Sequence, residues 1–269
     1  MASPRDNKNA KTAILLAGHG SSHPGGQAAL ASFAAKVAGL YPEIPVRLAY
    51  TAAAWPGNLA HPAPGLSLAR VLRSLAGQGF ERLVAQSLHV IAGEEFLRLH
   101  RTLEHFALEQ KLKLHLGGPL LAETRDVPPL CQAITACLGP LARPDQAVVV
   151  MGHGTTRQAQ DLYLALAQNL AQAYPRAYLG VIEAKGQNHP LHIQNIAARL
   201  EAAGVSQALL LPLLTVSGRH ASKDLAGNGP KSWINILWAK GVIGQPDMAG
   251  LIEREPVARL WLDGLAQMI

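Results

Sequence analysis

Val148-Val149-Val150-Met151-Gly152-His153-Gly154-Thr155-Thr156 decides how this chain folds. A short apolar run ends in Gly-His-Gly and a helical pattern follows, which reads as a buried strand, a tight turn and a helix start. Such a turn leaves the His153 imidazole at the carboxyl end of its strand, where open α/β sheets bind ligands. The same phrase occurs earlier as Ile14-Leu15-Leu16-Ala17-Gly18-His19-Gly20-Ser21-Ser22. The chain is therefore a duplicated unit.

Working outward, each half alternates apolar strand runs with helical patterns. In the first, strands are expected at 12–17, 46–51, 82–87 and 113–116, with helices at 27–40, 67–78, 96–110 and 127–138. A glycine-rich loop is expected over 18–26, and Pro56, Pro62 and Pro64 mark an irregular connection. In the second, strands fall at 147–151, 178–182, 207–211 and near Val242, with helices at 158–173, 192–203, 231–240 and 257–268. A long loop is expected over 214–229. Strands separated by crossover-length helical segments predict parallel sheets covered on both faces. The expected architecture is α/β: two similar domains, each a parallel sheet flanked by helices, related by a pseudo-twofold duplication with a cleft between them. Residues 1–11 form a leader, 12–140 the first half and 147–269 the second, whose closing helix is free to pack back on the first.

Bulk properties bound the function. At 269 residues with 49% apolar and 16% charged residues, the chain buries a full core. Its formal charge of +6 is scattered, which suits an acidic small molecule and does not point to nucleic acid. Cys131 and Cys137 lie six apart in one helical stretch, so they do not face each other and read as buried free thiols. No CxxC spacing points to zinc or redox chemistry. The polar N-terminus lacks an apolar signal core and no run reaches membrane-span length, so a cytoplasmic protein is expected, with no membrane partner and a homo-oligomer left open.

Aligning the halves by spacing pairs His19 with His153, Tyr50 with Glu183, and Glu95 with His220. His19 to Tyr41 is 22 residues and His153 to Tyr174 is 21; Tyr41 to Tyr50 and Tyr174 to Glu183 are both nine. His153, Glu183 and His220 thus sit on three neighbouring strand ends. Two imidazoles and one carboxylate suit a borderline divalent metal and leave positions open for transfer. Imidazole also titrates near neutrality, so His153 is a candidate proton acceptor. Any one of these residues alone would more readily be structural. Their occurrence together at repeat-related positions, with Glu183 interrupting an apolar strand end, favours function.

These residues sit in segments that resemble the anaerobic sirohydrochlorin cobaltochelatases of cobalamin synthesis, which are class II chelatases. The resemblance is carried by Gly152-His153-Gly154-Thr155, by Val181-Ile182-Glu183, and most specifically by the loop from Pro212 through Arg219-His220-Ala-Ser-Lys223-Asp224 to Gly227. Val46-Arg-Leu-Ala-Tyr50-Thr51 and Gln86-Ser-Leu-His89-Val-Ile-Ala-Gly-Glu-Glu95-Phe96 resemble the first-half motifs. The family implies a two-domain fold with a tetrapyrrole in the cleft and ATP-independent insertion of Co2+ into sirohydrochlorin. It also implies metal ligands at His153, Glu183 and His220 and a proton acceptor at His153, with Glu183 behind it. Sirohydrochlorin is a polycarboxylate, which makes Ser21, Ser22, Thr155, Arg219 and Lys223 candidate carboxylate contacts. His89 and Glu94-Glu95 are expected to line the facing wall or cap a helix start.

His19 departs from the family's usual first-half turn. Its repeat partners, Tyr50 and Glu95, make a poorer ligand set than two histidines and a glutamate. It is assigned to hydrogen bonding a substrate carboxylate, with a second metal site as the lesser alternative. The donor set does not choose Co2+ over Fe2+. A sirohydrochlorin ferrochelatase and a non-catalytic metal or tetrapyrrole carrier therefore stand as alternatives to cobaltochelatase.

Overall fold

The computed structural model describes residues 10–52, 66–143, 145–155, 159–184, 186 and 188–269. The first half contains β1 (Thr12–Gly18), α1 (Pro24–Leu40), β2 (Val46–Tyr50), α2 (Leu68–Leu75), β3 (Arg82–Ser87), α3 (Glu94–Gln110), β4 (Lys113–Gly117) and α4 (Val127–Leu138). The second contains β5 (Ala147–Gly152), α5 (Gln160–Ala173), β6 (Ala177–Val181), α6 (Ile193–Ala202), β7 (Gln207–Leu213), α7 (Trp233–Trp238), β8 (Ile243–Pro246) and α8 (Glu255–Ala266). Two four-stranded sheets result, ordered β2-β1-β3-β4 and β6-β5-β7-β8, and every pairing is parallel. The duplication read from Gly-His-Gly extends to the strand order.

The central strands are buried along their whole length, as parallel strands covered on both faces must be. Alternate residues divide between layers. Ile14 and Leu16 of β1 and Val148 and Val150 of β5 enter one continuous core with α1, α4, α5 and α8. Ala13, Leu15 and Ala17 face α2 and α3, whereas Ala147, Val149 and Met151 face α6 and α7. The shared core ties the halves together by exchange. The helix α4 packs on α5 of the second half, while α8 packs on α4 and β3 of the first. Trp261 of α8, fully buried, meets Phe33 of α1 edge-on with centroids 6.3 Å apart.

Three local expectations are corrected. The glycine-rich segment after β1 is helical from Pro24, because proline at the first helical position presets φ. Gly26 is needed inside that helix: a β-carbon there would stand 2.6 Å from Ser21 Oγ and 3.0 Å from the Ser217 carbonyl. The 214–229 loop contains a π-helical turn, Ala221–Leu225. The spacing match of Tyr50 to Glu183 is two residues out. In the sheet register Gly18 pairs Tyr50 and Gly152 pairs Val181, so Val181 is the counterpart of Tyr50. Four residues separate Tyr41 from β2 but two separate Tyr174 from β6, which accounts for the slip. Residues 1–9, the connection around 56–64, and Thr156 lie outside the described residues.

Candidate functional site

The second-half turn is built for close approach. At Gly152 a β-carbon would lie 2.8 Å from Tyr163 Cε1 on α5, and Gly154 holds φ at 92°, the left-handed region that favours glycine. Burial pushes the Tyr163 hydroxyl up to about 12, against a hydrogen bond from the Gly154 backbone and with the Glu183 charge adding to the rise. Beyond β6 the ladder continues for two bonds: Ile182 N–H donates to Gly152 O and Glu183 N–H to His153 O, each at 3.0 Å. Those bonds fix Glu183 beside His153, with Oε2 3.9 Å from His153 Nδ1, too far for a hydrogen bond. The His153 Nδ1 lies 3.3 Å from the Gly154 carbonyl.

His220 arrives from the end of β7 and stands edge-on to His153, with ring centroids 4.8 Å apart at 86°. Its Nδ1 is 2.7 Å from Asp224 Oδ2, one helical turn on, so Asp224 accepts Nδ1–H and leaves Nε2 as the free lone pair. The side chains of His153, Glu183 and His220 are each a little under half exposed, open to an arriving ion. Among the described residues no three His, Cys, Asp or Glu side chains stand close enough together to hold a metal ion as they are placed. The arrangement is an open gathering of two imidazoles and a carboxylate.

The first half carries a different pairing at the corresponding strand ends. His19 Nδ1 lies 2.8 Å from both carboxylate oxygens of Glu95. Behind Glu95 stands His89, buried, with Nε2 at 3.6 Å from Oε2 and 3.1 Å from Thr51 Oγ1, and Nδ1 at 2.9 Å from Ser87 Oγ. The bond to Glu95 raises the His19 pKa, opposed by burial and by Arg98. Burial alone would raise Glu95, but the hydrogen bond from His19 and the nearby His89 ring prevail and hold it well below the usual carboxylate range.

The strand-end loops of the two halves lie against each other. A β-carbon on Gly93, two residues before Glu95, would lie 4.0 Å from Thr155 Oγ1; one on Gly218, two before His220, would lie 3.4 Å from Ser21 Oγ. Thr215 Oγ1 also donates to the Leu88 carbonyl at 2.5 Å.

The other sequence candidates divide clearly. Ser21 is buried, and its hydroxyl accepts from His23 N–H and packs on the second half rather than opening to the cleft. Tyr50 is buried with its ring against Gly20, a core position. Ser22, Arg219 and Lys223 are exposed, and Thr155 is partly so. Sequence reasoning gave no role to Asp224, Tyr163, Thr51 or Ser87. Only Asp224 left a signal, its i+4 spacing from His220.

The chain is similar to known proteins along nearly its whole length. The profile of the cobalt chelatase (CbiK) family matches residues 12–269. The sirohydrochlorin cobaltochelatase CbiKC of Nitratidesulfovibrio vulgaris is 35% identical over 263 residues, covering 96% of this chain and 91% of that protein. The sirohydrochlorin cobaltochelatase of Salmonella typhimurium is 32% identical over 203 residues, covering 74% and 73%. SirB from Bacillus subtilis, solved with Fe3+, superposes with a TM-score of 0.63 at 15% identity over 96% of this chain and 95% of that one, a likeness of fold. The family profile spans both halves and both strand-end turns, and the chain belongs to the cobalt chelatase family.

Proposed function

We propose that the protein inserts Co2+ into sirohydrochlorin, without ATP, in the cleft between its two sheets, and that it does so in the cytoplasm. The observation that carries this reading is the convergence of His153, Glu183 and His220 at the ends of β5, β6 and β7, with the two rings 4.8 Å apart and Glu183 Oε2 3.9 Å from His153 Nδ1. The metal is substrate here: the donors take it from solution and give it up to four pyrrole nitrogens, so an open, half-exposed set suits transfer better than a closed one. Asp224 would keep the His220 Nε2 lone pair aimed outward, and His153 would accept one of the two pyrrole protons displaced as the metal enters. Exposed Arg219 and Lys223 are offered as contacts for the substrate's carboxylates.

Support for cobalt over iron comes from the named relatives, since the donor set itself accepts either ion. The test is parallel insertion of Co2+ and Fe2+ into sirohydrochlorin, followed by absorbance, in the wild type and in His153→Ala. The proposal requires accelerated Co2+ insertion that His153→Ala abolishes while the circular dichroism spectrum is retained. Preference for Fe2+ would move the assignment to a sirohaem-forming ferrochelatase. Binding of sirohydrochlorin without any acceleration would make the protein a carrier.

A further inference from the structure

Insertion releases two protons, and the second-half set supplies one evident acceptor. We propose that His19, oriented by Glu95, accepts the second pyrrole proton. This inference rests on the chelatase reading above and assigns the first-half histidine a catalytic role of its own.

The geometry that carries it is the His19–Glu95 dyad. With Nδ1 at 2.8 Å from both Glu95 oxygens, Nδ1 must carry the hydrogen and donate it, which leaves the Nε2 lone pair free. A carboxylate behind an imidazole, holding its tautomer and stabilising the imidazolium, is the arrangement general bases use in unrelated enzymes. The carboxylate is itself supported: His89 lies 3.6 Å from Glu95 Oε2, and the Ser87 and Thr51 hydroxyls hold His89 in place. The His19 side chain is 60% exposed, so the ring is open to an approaching substrate. Gly93, two residues before Glu95, faces Thr155, two residues beyond His153, so the dyad and His153 flank one contact between the halves.

The dyad is also a poor competitor for the metal, because both Glu95 oxygens are engaged by His19. In the step, the pyrrole N–H bond breaks and its electron pair stays on nitrogen, which bonds Co2+. The proton joins the Nε2 lone pair of His19, and the imidazolium later loses it to water. No other reactant is needed. Around His19 the ionisable groups are Glu95, which favours the protonated ring, Arg98, which opposes it, and His89, which shares the carboxylate.

The test is the pH dependence of Co2+ insertion at saturating sirohydrochlorin in the wild type, His19→Ala, Glu95→Gln and His153→Ala, with direct Co2+ titration of each. His19→Ala is expected to lower kcat by about 100-fold, the usual share of a general base, with KM and Co2+ affinity unchanged and partial rescue by added imidazole. Glu95→Gln keeps the base but removes the charge that raises it, so the acid limb of kcat moves to lower pH. Unchanged kcat in His19→Ala, a loss confined to KM for sirohydrochlorin, or an unmoved limb in Glu95→Gln each overturns the inference. In the first two cases, loss of Co2+ binding in His153→Ala leaves the chelatase reading standing. A wild type that does not accelerate insertion removes both.

Discussion

Glu95 and His220 are counterparts in the two halves, and they hold their partner histidines in opposite ways. Each lies eight residues beyond the strand residue paired with the one before the turn glycine, Ser87 opposite Ala17 and Pro212 opposite Met151. Glu95 binds His19 Nδ1 directly, whereas His220 only stands edge-on to His153 and spends its own Nδ1 on Asp224. The same fold position therefore closes one histidine on a carboxylate and leaves the other facing a second imidazole. Two imidazoles beside a carboxylate in the second half, against one imidazole tied to its carboxylate in the first, is the asymmetry on which the proposed metal position rests.

That contrast makes Asp224 the residue on which His220 depends. Asp224→Asn keeps the volume but replaces the carboxylate that accepts Nδ1–H with an amide that can present either end. Loss of such an outer hydrogen bond typically weakens metal binding about 10–100-fold. Titration with Co2+ in the absence of sirohydrochlorin measures it, and an affinity equal to the wild type would show that His220 is oriented by something else.

Gly154 is expected to be intolerant for two separable reasons. Its φ of 92° penalises any side chain by about 1–3 kcal/mol. A β-carbon there would also stand 3.1 Å from Glu183 Cβ and 3.2 Å from Glu183 N, pressing on a proposed ligand. Gly186 shares the positive φ, at 82°, but has open space around it. Urea denaturation should therefore place Gly154→Ala below Gly186→Ala in stability, and only Gly154→Ala should also lose insertion activity. Equal stability and activity in the two variants would remove the steric argument.

Tyr163 supports the same turn from beneath. Tyr163→Phe keeps the ring that fills the space over Gly152 but removes the hydroxyl to which the Gly154 backbone hydrogen-bonds. The expected cost is about 1 kcal/mol. Spectrophotometric titration of the folded protein gives an independent check, because the phenol pushed up to about 12 should vanish from the late end of the curve.

These residues separate what the local sequence specifies from what only the assembled fold decides. The two Gly-His-Gly turns and the parallel sheets follow from apolar runs ending in glycine, a signal that survives in any local window, whereas the grouping of His153, Glu183 and His220 is expected from the spacing of the repeats and from the family resemblance. The counterpart of Glu183 was not readable: a turn after Tyr41 two residues longer than that after Tyr174 shifts the count, and only hydrogen-bond register restores it. Tyr50 and Ser21 were polar residues at strand ends, yet one fills the core and the other seals the contact between halves. Nothing in their local sequence distinguishes those fates from a place in the cleft. The π-helical turn that brings Asp224 onto His220 likewise has no periodic signature in a polar, glycine-bearing loop.

The His19–Glu95 dyad should also mark the pH dependence of stability. Glu95 is depressed from its ordinary 4.5, so its contribution is present above that value and fades as pH falls toward the folded pKa. His19 is raised from 6.5, so its contribution is full below 6.5 and is lost as pH rises through the folded pKa. The two windows overlap between 4.5 and 6.5, where carboxylate and imidazolium coexist. Glu95→Gln should therefore cost most stability in that interval and progressively less on either side. Because His19 is exposed and screened, the maximum should stay below about 1 kcal/mol. Urea titrations of the wild type and Glu95→Gln across this range measure the difference directly. A difference that is flat with pH would mean that the carboxylate contributes through packing and not through its charge on His19.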